Sequence, residues 1–420
     1  MSFTYNIIIC LYYVGVVIAG MFSNKVRTMR KGEKATFSYL KQNMDSSARY
    51  IWFHAASLGE FEQGRPIIEE LRSKYPDYKI LLTFFSPSGY EVQKNYQGAD
   101  LICYLPIDTP YLAKKFLNTI MPDMAFFIKY EFWYNYLHIL HRNDIPAYSV
   151  SSIFREGQIF FRWYGKGYAE VLQYFTHFYV QNEKSCQLLE TLGIRNATIV
   201  GDTRFDRVIQ IRQKAKKLPL IEQFIGDSEK VLVAGSTWEG DEAVLIPYFN
   251  NHRDCKLIIA PHVVTEEHIA RIMSQCQVKV LRYTELENSQ SNSKFISDAN
   301  ILIVDCYGLL SSIYNYGIVT HVGGGFDPTG VHNVLEAAVW DCPVIYGPDY
   351  TDYQEAIGLH DSGGGLVVRD AKEFNTILDK LFTDSNYLAD TSTKSGAYVK
   401  SQQGATQKIL SDIFTNGKKV

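Results

Sequence analysis

Hydrophobic and polar positions along the 420 residues fall into three successive textures. The first is an uncharged run, Tyr5 to Phe22 (YNIIICLYYVGVVIAGMF), followed at once by Lys25, Arg27, Arg30, Lys31 and Lys34. Such a run is about the minimum length that crosses a bilayer as a helix. The second is a series of short apolar runs at Tyr50–His54, Ile80–Phe85, Leu101–Tyr104, Met124–Ile128, Ala147–Val150, Phe178–Val180 and Thr198–Val200. Apolar residues at successive positions predict strands buried on both faces. Helical patterns, among them Pro66–Lys74 and Tyr111–Asn118, lie between them. After the charged stretch Arg207–Lys217 a third series repeats the second, at Val231–Ala234, Leu257–Ala260, Val278–Leu281, Ile301–Val304, Ile318–Val322, Val344–Tyr346 and Leu366–Val368. Two consecutive βα series predict two doubly wound α/β domains with parallel sheets, over residues 24–207 and 208–420, the last helix being free to pack back on the first domain. Ligands in such folds sit at the carboxyl ends of strands, so the expected active site is a cleft between the two domains. The polar segment Thr284–Phe295 predicts a surface loop.

The order of charge around the first run changes its reading. A secretory leader carries its positive charge before the apolar stretch, whereas here it follows. Five cations in that place are expected to stay cytoplasmic, making residues 1–23 an anchor with the rest of the chain on the cytoplasmic side. A buried core helix is the plainer alternative. Composition adds three points. A net charge of −3 argues against a nucleic-acid partner. The seven cysteines are scattered, without a C-x-x-C pair or zinc-type spacing, and read as reduced thiols rather than metal ligands. Aromatic content of 14% suits a rich core, or a surface that handles sugar or lipid.

Two segments carry candidate chemistry. From His321 to Pro348 (HVGGGFDPTGVHNVLEAAVWDCPVIYGP) an apolar run meets Gly323, Gly324 and Gly325, and a helical pattern starts near Asn333. Glycines let a backbone approach a ligand closely, and a helix start offers N–H groups to an anion. Glu336 is then placed to accept from a ribose diol, although Asn333-x-x-Glu336 reads equally as a capping box. In Ile51–Pro66 (IWFHAASLGEFEQGRP), Glu60 falls in a glycine-containing loop after the first strand, where a carboxylate serves as general base if an acceptor hydroxyl is in reach. Ser57-x-x-Glu60 is again a capping pattern, and Glu62 is a neighbouring competitor.

With these segments stand others in a fixed order: HAASLGE, SPSG (Ser86–Gly89), YLPID (Tyr104–Asp108), YEFWYN (Tyr130–Asn135), GDTRFD (Gly201–Asp206), AGSTWEGDE (Ala234–Glu242) and GGFDPTGVHNVLE (Gly324–Glu336). In that order the chain resembles the 3-deoxy-D-manno-octulosonic acid (Kdo) transferases of lipopolysaccharide biosynthesis, from its first helix to about residue 370. The resemblance implies a glycosyltransferase-B fold and inverting transfer of Kdo from CMP-Kdo to a lipid A precursor, lipid IVA, without metal or cofactor. The implied partners are CMP-Kdo, that lipid and the bacterial inner membrane. Glu60 matches the family's catalytic base, and Arg204 occupies the place of a lysine that steadies the transition state. Donor contacts are implied at Ser236 and Thr237, at Pro261 and His262 in place of Pro-Arg, and at Tyr307, Gly308 and Leu309 in place of Met-Gly-Glu. They are also implied at Gly324, Gly325, His332, and at Asn333, Val334, Leu335 and Glu336 in place of an Asn-Pro-Leu-Glu segment. Lys129 and Glu131 stand where the family shows two acids. A lysine there is placed to stabilise the Kdo carboxylate or the departing phosphate, its plainer reading being a solvated surface side chain. The altered charges at Lys129, His262 and Leu309 leave room for other readings: another lipid-linked sugar transferase, a UDP-sugar epimerase, or an inactive tethered binding protein.

Overall fold

The structure, a computed structural model, describes residues 2–288 and 293–415. The chain folds as two compact units, one formed by Met1–Arg207 with Gln403–Val420, the other by Val208–Gln402.

Unit 1 opens with two consecutive helices, α1 (Ser2–Phe22) and α2 (Asn24–Asn43), separated by the cap residue Ser23. Its strands are β1 (Arg49–Ala55), β2 (Tyr78–Phe84), β3 (Leu101–Tyr104), β4 (Met124–Ile128), β5 (Ala147–Ser152), β6 (His177–Val180) and β7 (Ala197–Ile199). They form one parallel sheet in the order β3-β2-β1-β4-β5-β6-β7. Both faces are covered, which is why the central strands carry apolar residues at successive positions. One face holds Trp52, Leu81 and Phe127 and the other Ile51, Phe53 and Phe126, all fully buried.

Unit 2 repeats the scheme with β8 (Val231–Thr237), β9 (Lys256–Pro261), β10 (Val280–Arg282), β11 (Ile301–Ile303), β12 (Val319–Val322), β13 (Val344–Tyr346) and β14 (Gly365–Val367). Their parallel order is β10-β11-β9-β8-β12-β13-β14. In each sheet the strand order reverses direction once, between β1 and β4 and between β8 and β12. Crevices at such reversal points, outside the carboxyl ends of the strands, are where this architecture receives ligands.

Three local expectations are corrected. The helix α3 (Leu58–Lys74) begins eight residues before Pro66, which lies inside it, so Glu60 sits in the first helical turn and not in a loop. Phe61, Ile67, Ile68 and Leu71 are buried along one stripe of α3, and that burial carries the helix through its proline. The helical pattern near Asn333 shrinks to a single turn, Leu335–Ala338. The segment Thr284–Phe295 is flanked by short helices at Tyr283–Glu287 and Ser293–Ser297, with residues 289–292 outside the described ones.

The helix Ala405–Phe414 returns to unit 1. Asp206 accepts from the backbone N–H groups of Gly404 (2.6 Å) and Thr406 (2.7 Å) at its start. Ile409, Leu410 and Ile413 enter the core beneath α3, and Phe414 stacks on Tyr75.

Candidate active site

The candidate residues of unit 1 gather at the reversal point between β1 and β4. β1 delivers Ser57, which starts α3. The Ser57 N–H donates to Glu60 Oε2 (3.0 Å), and its hydroxyl lies 3.4 Å from the same oxygen. The capping pattern is therefore real. It fixes the Glu60 side chain through Oε2 and leaves Oε1 with no hydrogen bond among the described residues. Burial, and then the nearby Glu131 carboxylate, raise the Glu60 carboxyl above its ordinary value, against the opposing pull of His54, the Ser57 N–H and Lys129. A carboxylate made more basic in this way, held by one oxygen and open at the other, has the form of a general base.

Glu131 is differently occupied. Its Oε2 takes hydrogen bonds from His54 Nε2 (2.9 Å) and Trp133 Nε1 (2.6 Å), and the other ring nitrogen of the fully buried His54 meets the Thr83 hydroxyl at 2.9 Å. Two donors already satisfy that oxygen, so Glu131 orients and polarises its neighbours rather than competing with Glu60. Lys129 ends β4 with φ 65°. A β-unbranched residue in this left-handed region costs about 1–2 kcal/mol, strain that folds retain mainly where the side chain's direction matters. Its N–H still bonds Val150 O (2.8 Å), and its Nζ lies 5.3 Å from the centre of the Tyr130 ring. Its charge acts on both Glu60 and Asp202.

Arg204 turns back on Asp202, with Nε at 2.9 Å and Nη2 at 2.7 Å from Oδ2. Burial by itself would raise the Asp202 carboxyl, but Arg204 outweighs it and holds the group below the ordinary carboxylate range. The cation is thus kept rigid, at the price of an adjacent negative charge. Glu62, the competitor of Glu60, pairs with Arg207 (2.7 Å) and Arg65 (3.4 Å).

In unit 2 the candidate residues surround the reversal point between β8 and β12. Ser236, with φ 54°, and Thr237 close β8, and Thr237 donates to the buried Glu242 (3.1 Å). Pro261 closes β9, and the next residue, His262, donates its N–H to Thr237 O (2.9 Å). His262 lies between two rings, 4.4 Å from His332 and 4.8 Å from Trp238, while the Trp238 indole donates to His332 Nε2 (2.9 Å). Burial, reinforced by His262, pushes the His332 imidazole down to about 4, and burial lowers His262 as well. Both rings are thereby neutral near pH 7, a flat apolar-faced platform and not a replacement for an arginine's charge. Tyr307 is exposed and its hydroxyl accepts from Val264 N–H (3.1 Å); Gly308 follows with φ 90°, and Leu309 precedes a one-turn helix.

The glycine run has a packing reason of its own. A Cβ at Gly324 would lie 2.4 Å from Gly330 O, and one at Gly325 would lie 2.7 Å from Gly347 N. These glycines let the protein's own backbones pass each other, and Gly324 N–H is taken by Asp241 Oδ2 (2.9 Å). Val334 and Leu335 are fully buried, backbone included, and pack into the core. Asn333 Nδ2 donates to Glu336 Oε1 (3.1 Å) and Asn333 Oδ1 accepts from Leu335 N–H (3.2 Å), a local cap on a turn too short to carry much dipole.

The residues that organise both sites had no local signal in the sequence. Asp241, fully buried, bonds Trp238 N–H (2.9 Å), Gly324 N–H and His321 Nε2 (3.0 Å), joining β8, β12 and the glycine run. His54 and Asp202 play the same part in unit 1. Partners such as Glu131 for His54, and Gly324 and His321 for Asp241, lie tens of residues away, and only a buried polar residue within an apolar run, such as His54 or His321, hinted at them. Among the described residues no group of His, Cys, Asp or Glu is arranged to hold a metal ion.

Two doubly wound units, each with its polar residues collected at a sheet reversal, define a protein of the glycosyltransferase-B type. The fold is shared with UDP-GlcNAc 2-epimerase from Neisseria meningitidis (TM-score 0.62, 14% identity, 87% of this chain and 100% of that one). Residues 30–207 match the family model for 3-deoxy-D-manno-octulosonic-acid transferase (kdotransferase). Similar curated proteins include the 3-deoxy-D-manno-octulosonic acid transferases of Rickettsia prowazekii (26% identical, covering 90% of this chain and 84% of that protein) and Aquifex aeolicus (27%, 82% and 89%). By these likenesses the chain is a glycosyltransferase, similar to the Kdo transferases over most of its length.

Proposed function

We propose that this enzyme moves Kdo from CMP-Kdo to a sugar hydroxyl of lipid IVA, with inversion, at the cytoplasmic face of the bacterial inner membrane. Glu60 is the general base. Its Oε1 takes the proton of the acceptor hydroxyl as the new glycosidic bond forms and the bond between Kdo and the CMP phosphate breaks. The observation that carries this reading is the Glu60 side chain itself, tied by Oε2, unengaged at Oε1 and made more basic by burial. Lys129 and Arg204 supply fixed positive charge to a donor that carries a carboxylate and a phosphate, a preorganised field being the largest lever for such a transfer. Asp202 holds Arg204 in place, and Glu131 fixes His54 and Trp133 beside Glu60, both acting as positioning residues.

On unit 2 the donor's nucleotide is assigned to Ser236, Thr237, Pro261, His262, Tyr307, Gly308, Leu309, Gly324, Gly325 and His332, with the turn Asn333 to Glu336. The neutral His262 and His332 rings offer stacking and hydrogen bonds in place of a guanidinium. No metal or cofactor takes part in this scheme, and no nucleic acid is a partner. The test is lipid analysis by mass spectrometry after incubation of the protein with CMP-Kdo and lipid IVA, beside Glu60→Gln. A mass gain of one or more Kdo units with the unaltered protein, lost with the variant, supports the reading. Undiminished transfer by Glu60→Gln removes Glu60 as base.

A further inference from the structure

The first helix is long and apolar enough to cross a membrane, with Phe3–Phe22 meeting that test at a mean hydropathy of 2.0. Its contacts within unit 1 say something else about how it meets lipid. At its N-terminal end the Tyr5 hydroxyl donates to Asp108 Oδ2 (2.7 Å), Asn6 Oδ1 accepts from Asn135 Nδ2 (2.9 Å), and the Tyr5 ring packs on Tyr134 and Tyr168 at 5.2 and 5.8 Å. At its C-terminal end Arg27 donates to Gly20 O (3.2 Å) and Met21 O (3.0 Å), and Arg30 reaches Val17 O (3.4 Å). Between these ends Ile9 and Val16 are buried in a cluster with Met29, Tyr104 and Ile107. Asp108 and Asn135 belong to the YLPID and YEFWYN segments, which thus grip α1.

A helix that crosses a bilayer has its ends on opposite sides of a hydrocarbon layer about 30 Å thick. Here both ends and the middle are fastened to one globular unit. The opposite face is predominantly apolar: Phe3, Ile7, Leu11, Val14, Ile18, Met21 and Phe22 recur at helical spacing and are exposed, with Thr4 beside them. Beside it runs the segment Ile159–Tyr168, where Trp163 is 84% and Tyr164 64% exposed, and a groove of about 570 Å³ lined by Tyr5, Ile8, Ile159 and Tyr164 joins the two. Exposed Lys25, Arg27, Lys31 and Lys34 follow on α2. An apolar stripe, interfacial aromatics and a flanking set of cations match one occupant, an anionic lipid surface.

We infer that α1 does not cross the membrane but lies along it, an in-plane strip that seats unit 1 on the bilayer by its Phe3–Phe22 face. The inference rests on the membrane attachment proposed above but not on the transfer chemistry. It is tested in the full chain with Cys10, Cys186, Cys276 and Cys306 changed to Ser, since Cys103, Cys255 and Cys342 are buried. Single cysteines placed at Phe3, Ile7, Leu11, Val14, Ile18 and Phe22 carry nitroxide labels, read for depth in vesicles of phosphatidylethanolamine and phosphatidylglycerol. All six depths are expected to agree within about 5 Å, at roughly 5–10 Å below the headgroups. A profile deepest at Leu11 and Val14, by about 15 Å relative to the ends, overturns the inference in favour of a spanning helix. Six water-exposed labels overturn it in favour of a soluble unit. Kdo transfer by the same labelled proteins is measured separately, so a failed transferase reading and a failed in-plane helix give different results.

Discussion

Units 1 and 2 share a fold and divide its uses. Each is a seven-stranded parallel sheet reversing once, but unit 1 places three strands before the reversal and four after it, and unit 2 four and three. At the reversal unit 1 collects acidic and basic side chains: Glu60, Lys129, Glu131, Asp202 and Arg204. Unit 2 collects glycines and a neutral ring stack, with its charges (Asp241 and Glu242) withdrawn into full burial. In the proposed reaction the first crevice moves the proton and faces charge, and the second holds the flat nucleotide against packed backbone. The same architecture therefore carries either task, and the side chains at the strand ends decide which.

The sharpest break of this contrast is Glu60→Gln. It keeps the cap to Ser57 N–H while removing basicity, so turnover is expected to fall by roughly two to four orders of magnitude with CMP affinity unchanged. The rate of the unaltered enzyme should lose its acid limb at a higher pH than an ordinary carboxylate gives, because the Glu60 value is raised. Stopped assays across pH check both.

Next in size is Glu336→Ala in unit 2. If its carboxylate binds the ribose, calorimetric CMP affinity drops by about 1.5–3 kcal/mol. If it serves only Asn333, the melting curve reports about 1 kcal/mol of lost stability and affinity holds.

The two units should also answer pH with opposite signs. Burial raises Glu33 and Asp108 in unit 1 to about 7. The folded state then binds those protons more tightly than the unfolded chain, so their share of unit 1's stability is fully present below the ordinary carboxylate range and is lost as pH rises through about 7, while the lowered Asp202 opposes part of it. His332 in unit 2 is lowered to about 4, so its share of stability is present above the ordinary histidine value and is lost as pH falls toward 4. The buried Glu242, itself raised, offsets part of this within unit 2. Hydrogen exchange resolved by unit, at about pH 5 and about pH 8, should move protection in opposite directions by about 1–2 kcal/mol. Parallel shifts would erase the distinction. The smallest effect is Lys129→Gly, which relieves the positive φ and is expected to leave stability unchanged or raise it by up to about 1 kcal/mol, while slowing transfer.

What the sequence disclosed follows the same division. The strands were visible, most of them because a strand buried on both faces must be apolar at successive positions; the half-exposed β7 was found by its β-branched residues instead. Glu60 was visible by its spacing from Ser57, yet its surroundings were misread. Proline favours a first turn, so Pro66 suggested a helix start that the buried stripe of α3 overrides. The glycines at 323–325 were found for a ligand's sake and are needed for the protein's own chain crossings. Asp241 and His54 were illegible in their roles, since a side chain's meaning there comes from distant partners such as Gly324 and Glu131. The ring stack of Trp238, His262 and His332 likewise spans three connections.

The return of Ala405–Phe414 to unit 1 has a consequence in time. Synthesis proceeds at about 5–20 residues per second, so the segment that fills the space beneath α3 arrives roughly 10–40 seconds after the rest of unit 1 has left the ribosome. Through that interval Ile67, Ile68 and Leu71 lack Ile409 and Leu410, and Asp206 has no helix to cap. Unit 2, whose chain is continuous from Val208 to Gln402, can close on itself first. The nascent chain thus waits with α3 incompletely packed, its apolar first helix already exposed, until Ile409, Leu410 and Ile413 complete the core beneath α3.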